Sequence, residues 1–331
     1  MKTKKTYTHE VPVTIIIMAY NAKKVIRDAI ESLIMQHYPI AGIIVIDNCS
    51  TDATVAEVAT IKKLHKSFPI RLISQKINQG LSASYNLGAT LARTDYVITM
   101  HADGLLPTNG ELRKLMTPVL QDKNVIAAGP QLLHPKKLWN NYPFWQKLLF
   151  ARVVGKVTPS GNGKFDCLRR DTFLKLGGYD EESFPSSIGS EDADMYVRLE
   201  SAGLVINTAA QVVHNHPVEQ GYTLLSVARR QKYYSIAYGR YLQLNLNSLR
   251  LKSLVFFIKP IIAFLSFLTF YHIVFLLPLL LFPFFYVPIM FTDPMTRRDR
   301  NIVLLPFVLY FLVYYESFWM LTSLLFFRSK R

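Results

Sequence analysis

Several acidic, imidazole and amide side chains in this chain of 331 residues stand directly after short apolar runs. Tyr20 and Asn21 follow Val13–Met18, Asp47 and Asn48 follow Ile43–Ile46, and His101-Ala102-Asp103 follows Tyr96–Met100. A carboxylate such as Asp47 can accept from a nucleobase N–H or a ribose hydroxyl. Asn21 is equally suited to a plain turn, and Asp52 to capping the helix that follows it. Glu191 and Asp192 open a helical stretch, where acidic groups also complement the positive helix N-terminus. Asp194 and Arg198 have the i, i+4 spacing of an ion pair on one helix face. His214 and His216 follow Val212-Val213; two residues apart on a strand, they point the same way and can reach one site. A hydrogen-bonded loop pair is the other reading of these two histidines.

The elements that would position these groups alternate in type. The β-branched runs read as buried strands, joined by a third at Ile70–Ser74 and a fourth at Tyr96–Met100. Between them, apolar residues at helical spacing predict helices over Lys23–Gln36, from Asp52 to about Lys66, and over Leu81–Arg93. Alternation of this kind predicts an α/β domain around a mostly parallel sheet, in which ligands bind beyond the carboxyl ends of the strands. The chemically capable residues stand at those ends. Further along, Phe165–Arg169 reads as an added strand. Asp171–Leu176 reads as a short helix stopped by Gly177-Gly178, Glu191–Ala202 as a helix stopped by Gly203, and Tyr222–Leu242 as a long basic and aromatic helix. Gln131–Ser160 has no clear period and reads as an excursion able to cover a site.

Half of the residues are hydrophobic, more than a soluble domain needs, and the excess is concentrated in 254–291 and 302–327. The organisation expected is a soluble α/β domain over 1–220, a basic amphipathic juxtamembrane helix over 221–252, and a membrane region over 253–331. The first block exceeds the ~20 residues of a single spanning helix and is interrupted by Pro260, Pro278, Pro283 and Pro288. Two helices, or one span with an interfacial piece, both fit it. The second block has the length of one span, with Glu316 near its middle. Arg297, Arg298 and Arg300 lie between the blocks, and Arg328, Lys330 and Arg331 follow the second, so the positive-inside tendency leaves the number of crossings open.

The net charge is +15. From Gly221 to Lys252 the chain carries Arg229, Arg230, Lys232, Arg240, Arg250 and Lys252 and no acidic residue. Basic clusters beside a membrane segment are attracted to anionic headgroups on the cytoplasmic side, and no nucleic-acid-binding pattern accompanies them. Membrane lipids are therefore expected partners and nucleic acid is not. Cys49 and Cys167 have neither metal-site nor disulfide-framework spacing. The first apolar run is too short for a signal peptide. An integral membrane protein with its soluble domain on the cytoplasmic side is expected.

The stretches "VTIIIMAYNAKKVIRDAIESLIMQHYP", "IIVIDNCSTDAT", "NQGLSASYNLGATLARTDYVITMHADGLLP", "LGGYDEESF" and "GSEDADMYVRLESAGLVI" occur in that order between Val11 and Gly239. Together they resemble the family-2 glycosyltransferases of the GT-A fold, a Rossmann-like α/β architecture. The resemblance implies transfer of a sugar, with inversion, from a nucleotide diphosphate sugar to an acceptor. It places Ala19, Tyr20, Asn21, Asp47 and Asp103 against the donor nucleotide. It also implies a divalent cation, Mn²⁺ or Mg²⁺, with Asp103 as a direct ligand, His214 as a further one and His216 as second choice. Asp192, beside Glu191, is implied as the base that takes the acceptor proton. Asn86 and Gly177-Gly178-Tyr179-Asp180 are further landmarks, the first structural and the second shaping the acceptor pocket. Arg229 and Arg230 contact either donor phosphates, the acceptor or the membrane surface.

His101 departs from the family's Asp-x-Asp pattern: it ligates the metal, contacts the donor sugar or simply packs. The pattern expected is a non-processive enzyme, since "RRQKYYSIAYGR" stands where processive synthases carry Gln-x-x-Arg-Trp. Its acceptor is a lipid-linked saccharide or a polyprenyl phosphate. A non-catalytic nucleotide-sugar-binding membrane protein is the alternative that rests on His101.

Overall fold

The β-branched run near the start of the chain becomes an inner strand. In the computed structural model, β1 (Val13–Ala19) pairs in parallel with β2 (Ile40–Asp47) and β4 (Tyr96–His101), and β3 (Ile70–Ser74) extends β2. The structure describes residues 10–159, 163–185, 189–246, 281 and 283–327. Most of the first hydrophobic block, with Arg250 and Lys252, lies outside them.

Alternate residues of β1 face opposite sides of the sheet, and each side is covered by a helix. Val13, Ile15 and Ile17 pack with Ile26, Ile30 and Leu33 of α1 (Ile26–Ile34). Ile16 packs on the other side with Leu81, Tyr85 and Ala89 of α3 (Gly80–Leu91). A Cβ at Gly88 would come within 2.3 Å of Ile16 Cγ2, so glycine sets how closely α3 approaches the sheet. α2 (Thr54–Leu64) lies between β2 and β3 in the chain. Its N-cap position is Ala53, and Asp52 acts from one residue earlier, accepting from the N–H of Thr54 at 2.9 Å and of Lys23 at 3.2 Å.

Between β4 and residue 134 the structure adds β5 (Gly104–Leu105), α4 (Glu111–Gln121) and β6 (Val125–Leu133). The stretch expected to be aperiodic is in fact ordered: it holds the end of β6, α5 (Lys136–Asn140), α6 (Phe144–Phe150) and β7 (Val157–Pro159). β8 (Phe165–Arg169) is followed by α7 (Arg170–Lys175), α8 (Glu191–Ala202) and β9 (Leu204–His214). The sheet runs β3-β2-β1-β4-β8-β6-β9-β5, with β7 on β6. It is parallel across its first four strands. β8 then enters antiparallel between β4 and β6, and β9 lies parallel to β6.

α7 ends at Gly177-Gly178, both in the left-handed region with φ of +83° and +67°. A Cβ on Gly178 would lie 2.3 Å from Asn86 Oδ1, whereas one on Gly177 would meet nothing within 4 Å. The Asn86 carboxamide reads the next residue's backbone in both senses, accepting from Tyr179 N at 2.8 Å and donating to Tyr179 O at 2.9 Å. Gly178→Ala is therefore expected to cost more than Gly177→Ala. The second change pays only the left-handed backbone cost of about 1–2 kcal/mol, while the first adds a buried overlap. Thermal unfolding of the two variants side by side tests this, and equal losses would contradict it.

The chain divides into two units: residues 1–133, 157–187 and 191–217, which hold the sheet, and residues 134–156, 188–190 and 218–331. In the second unit, Trp139, Trp145 and Leu148 form a core with Tyr222, Val227, Met290, Leu305 and Leu309. α9 (Leu224–Leu244) starts from a Thr223/Ser226 capping box, and α10 spans Leu305–Phe326. Lys232 Nζ lies 3.7 Å over the Trp319 ring, Ser323 donates to Ile236 O at 2.8 Å, and Gln243 donates to Leu324 O at 2.9 Å. The partners advance together along both helices, so α9 and α10 run in the same direction. A Cβ at Gly239 would sit 2.4 Å from Met320 O, a close approach of backbones that only glycine allows. α10 is long and apolar enough to cross a membrane, about 33 Å at 1.5 Å per residue. Phe307, Phe311, Phe318 and Leu325 on it are exposed.

Candidate active site

Strand pairing brings the third acidic loop against the histidines. Gly104 of β5 is the cross-strand partner of His214 on β9, and Asn215 N donates to Asp103 O at 2.7 Å. As a result, His214 Nε2 lies 3.0 Å and His216 Nδ1 3.2 Å from Asp103 Oδ2. The ligand-type atoms of these three residues all fall within 4.8 Å of one another. The other carboxylate oxygen, Asp103 Oδ1, is buried and accepts no hydrogen bond, which is costly unless a ligand or ion satisfies it. Burial pushes the Asp103 carboxyl up, but the neighbouring His214, His216 and Lys164 outweigh it and hold the group well below the ordinary range. Burial, and then Lys164, press His214 down to about 4 against the pull of Asp103. An anionic carboxylate beside the neutral His214 imidazole and the His216 ring is a donor set suited to a divalent cation, with an oxygen to spare.

His101 stands apart from that trio. Its Nδ1 lies 4.0 Å from Asp103 Oδ1 but only 3.1 Å from Lys164 Nζ. The ring stacks on Tyr85 at 6.3 Å. Burial, followed by the charge of Lys164, lowers His101 to about 3. No feature of the sequence by itself singled out Lys164. The antiparallel register ends at Met100 opposite Phe165, and the residues just beyond it, His101 and Lys164, meet through their side chains although 63 apart in the chain.

Glu191 and Asp192 begin α8. Burial, then the charge of Asp192, raises Glu191 to about 7. Burial raises Asp192 too, against its hydrogen bond from Ala193 N at 2.8 Å and the charge of Lys164. The charge of Lys164 acts on Asp103, His214, Glu191 and Asp192 alike. Asp194 is fully buried and pairs with Arg198 at 2.8 Å, as its spacing predicts. Arg198 also donates to Leu176 O and Gly178 O at 2.9 and 2.7 Å, tying α8 to the turn after α7. Tyr179 from that turn is buried against Tyr85 and Phe173.

The strand-end loops differ in what they leave available. Asn21 has φ +49°, and its carboxamide oxygen accepts from Thr51 N at 2.8 Å, so its side chain joins two loops. Tyr20 is exposed and Ala19 buried. Asp47 is 2% exposed; Oδ2 accepts from Ser50 N at 3.4 Å and Oδ1 accepts nothing. Asn48, beside it, accepts from Gln79 N and donates to Asn78 Oδ1, both at 2.8 Å, and so fixes the entry to α3. Arg229 and Arg230 lie on α9 in the second unit, where Arg230 donates to the Tyr234 hydroxyl at 3.1 Å.

Residues 14–173 match the model of "Glycosyl transferase family 2", and residues 96–326 match that of "Glycosyl transferase family group 2". An uncharacterized glycosyltransferase of Haemophilus influenzae is 35% identical over 120 residues, 36% of each chain. A poly-beta-1,6-N-acetyl-D-glucosamine synthase of Staphylococcus epidermidis is 26% identical over 186 residues, 53% of this chain and 44% of that one. The chain thus spans less than half the length of these two relatives. The mannosyltransferase PcManGT of Pyrobaculum calidifontis, solved with GDP-Man and Mn²⁺, shares the fold with a TM-score of 0.54 at 20% identity, covering 71% of this chain and 65% of that one. The second family model covers more than half of the chain, and its span includes the carboxylate–histidine trio and α8; the protein accordingly belongs to the family-2 glycosyltransferases.

Proposed function

We propose that the protein moves a sugar, with inversion and one unit at a time, from a nucleotide diphosphate sugar to a membrane-associated acceptor, a lipid-linked saccharide or a polyprenyl phosphate. The observation that carries this reading is the gathering of Asp103, His214 and His216 into one cluster of ligand-type atoms, in a chain whose α8 opens on the acidic pair Glu191 and Asp192. Asp103, His214 and His216 would hold a divalent cation, Mn²⁺ or Mg²⁺, and the orphaned Asp103 Oδ1 supports the fit. When bound, that cation supplies positive charge to the leaving diphosphate. Asp47 offers its unpaired oxygen to a base N–H or ribose hydroxyl at the end of β2. Asp192 takes the proton of the acceptor hydroxyl as its oxygen bonds to the anomeric carbon and the bond from that carbon to the phosphate oxygen breaks.

Two features support the membrane-associated acceptor. α10 presents exposed phenylalanines along an apolar helix of spanning length, and α9 carries the basic residues that favour an anionic surface. The one-unit outcome rests on "RRQKYYSIAYGR" at the position of the processive pattern. The alternative of a binding protein loses its support once His101 pairs with Lys164, since His101 then leaves the trio intact. The test is release of nucleoside diphosphate from a panel of nucleotide sugars by detergent-solubilised protein and membrane lipid extract, with Mn²⁺, Mg²⁺ or chelator. Metal-dependent release with a lipid-extractable product of one added sugar is expected. Release that needs no lipid fraction, or a polymeric product, would overturn the acceptor or the single-addition reading.

The raised carboxyls set a pH dependence. The base acts ionised, so activity is lost as pH falls through the raised values of the Glu191/Asp192 pair and is full above them. The acid limb of kcat/KM is expected above the ordinary carboxylate range of about 4. In Glu191→Gln, which removes one of the two coupled protons, the limb is expected to move to lower pH. A limb below pH 5 in the unmodified enzyme would contradict the buried pair as its source.

A further inference from the structure

The turn that carries Lys164 is built rather than loose. Gly163 N donates to the buried Asp166 Oδ2 at 2.6 Å, and the Tyr85 hydroxyl donates to Gly163 O at 3.2 Å. A Cβ at Gly163, where φ is +71°, would meet Tyr85 at 3.6 Å, His101 Nε2 at 3.7 Å and the Tyr179 hydroxyl at 3.8 Å. The Nε2 edge of His101 therefore lies against this turn, and its Nδ1 faces the Lys164 ammonium at 3.1 Å. An ammonium has only donors, so Nδ1 is the acceptor of that bond. The Nδ1 of His101 is thereby engaged by Lys164. The half-buried ammonium sits beside His101, whose Nδ1 is 4.0 Å from Asp103 Oδ1, and a fixed charge in such partly buried surroundings acts more strongly than in water.

From this geometry we infer that Lys164 is a second electropositive contact for the donor's diphosphate, held in place by His101, and that position 101 anchors this lysine rather than ligating the metal. The inference rests on the donor reading above. Its chemistry is that of charge neutralisation: a lysine presents a compact positive charge with three donors to phosphate oxygens, and it adds to the cation's effect on the leaving group without a proton transfer of its own. An acidic residue at position 101 would pair with the ammonium and cancel its charge. Histidine holds it and leaves the charge in place.

Binding of UDP, GDP, UMP and GMP to the full-length protein, by calorimetry with and without Mn²⁺, tests the inference without turnover. In Lys164→Met the affinity for the diphosphate that binds the unmodified protein is expected to fall about tenfold or more, and for the matching monophosphate by less than about twofold. The loss is expected to persist when Mn²⁺ is omitted. Lys164→Arg, which keeps the charge, should retain most of the diphosphate affinity, and His101→Ala, which frees the lysine, should show the same selective loss in weaker form. Equal weakening for diphosphate and monophosphate, or none, would overturn the inference while leaving the donor reading standing. Unmodified protein that binds no nucleotide at all would overturn both. Thermal unfolding of each variant excludes loss of the fold as the cause, and rescue by arginine separates charge from packing.

Discussion

Asp192→Asn is expected to lower the transfer rate by about 10²–10⁴-fold, the usual contribution of a positioned general base, while leaving nucleoside diphosphate binding unchanged. The substitution is nearly isosteric. An asparagine oxygen can still accept from Ala193 N, the bond that Asp192 makes at 2.8 Å, so the start of α8 keeps its local partner. What is lost is the ability to take a proton. Glu191 is the informative control: it is 8% exposed and its carboxyl is raised by burial and by Asp192. Glu191→Gln should shift the pH profile more than it lowers the plateau rate. Single-turnover transfer at saturating donor checks both, because binding and chemistry separate there. If Asp192→Asn retained transfer within a few-fold while Glu191→Gln lost it, the two roles would have to be exchanged.

Asp103→Asn should have an effect of similar size for a different reason. Asp103 Oδ2 is shared by His214 and His216 at 3.0 and 3.2 Å, and Oδ1 is buried without a partner. An amide removes the negative charge that makes the trio a cation site, and it leaves a buried group short of partners, so kcat/KM should fall by about 10³-fold, several kcal/mol of transition-state stabilisation. His214→Ala keeps the carboxylate, so its loss should be partly recovered by raising Mn²⁺. Titrating activity against Mn²⁺ in both variants reads this out. A half-saturating Mn²⁺ concentration unchanged in His214→Ala would remove that histidine from the metal site. Unchanged Mn²⁺ dependence in Asp103→Asn would remove the whole trio.

Much of the sheet was legible because its signals are local. β1, β3 and β8 fall where β-branched or apolar runs place them, and the helix from Glu191 to Ala202 has the bounds its pattern predicts. α4 and β6 were not read from the sequence. α4 contains Pro118, a residue that usually argues against a helix interior. β6 carries Gly129-Pro130 within Val125–Leu133, a dipeptide that reads as a turn; the ladder with β9 accommodates it through a register shift between Gly129 and Gln131. Tertiary pairing overrode local preference in both.

The sequence by itself determined the family, the α/β class and the acidic and imidazole residues that gather at the strand ends, because alternation of strand and helix and the placing of polar groups after strands are properties of short windows. The resemblance already implied that Asp103 and His214 share a site, and the tertiary structure supplied how they meet and gave His101 a different partner. His214 reaches Asp103 across 111 positions, and Lys164 reaches His101 across 63, through strand pairings that no local pattern encodes. The same sequence stretch that named His101 as a departure from the metal pattern could not name its partner. That partner is set by the antiparallel entry of β8 beside β4, and register between strands distant in the chain is a property of the assembled sheet.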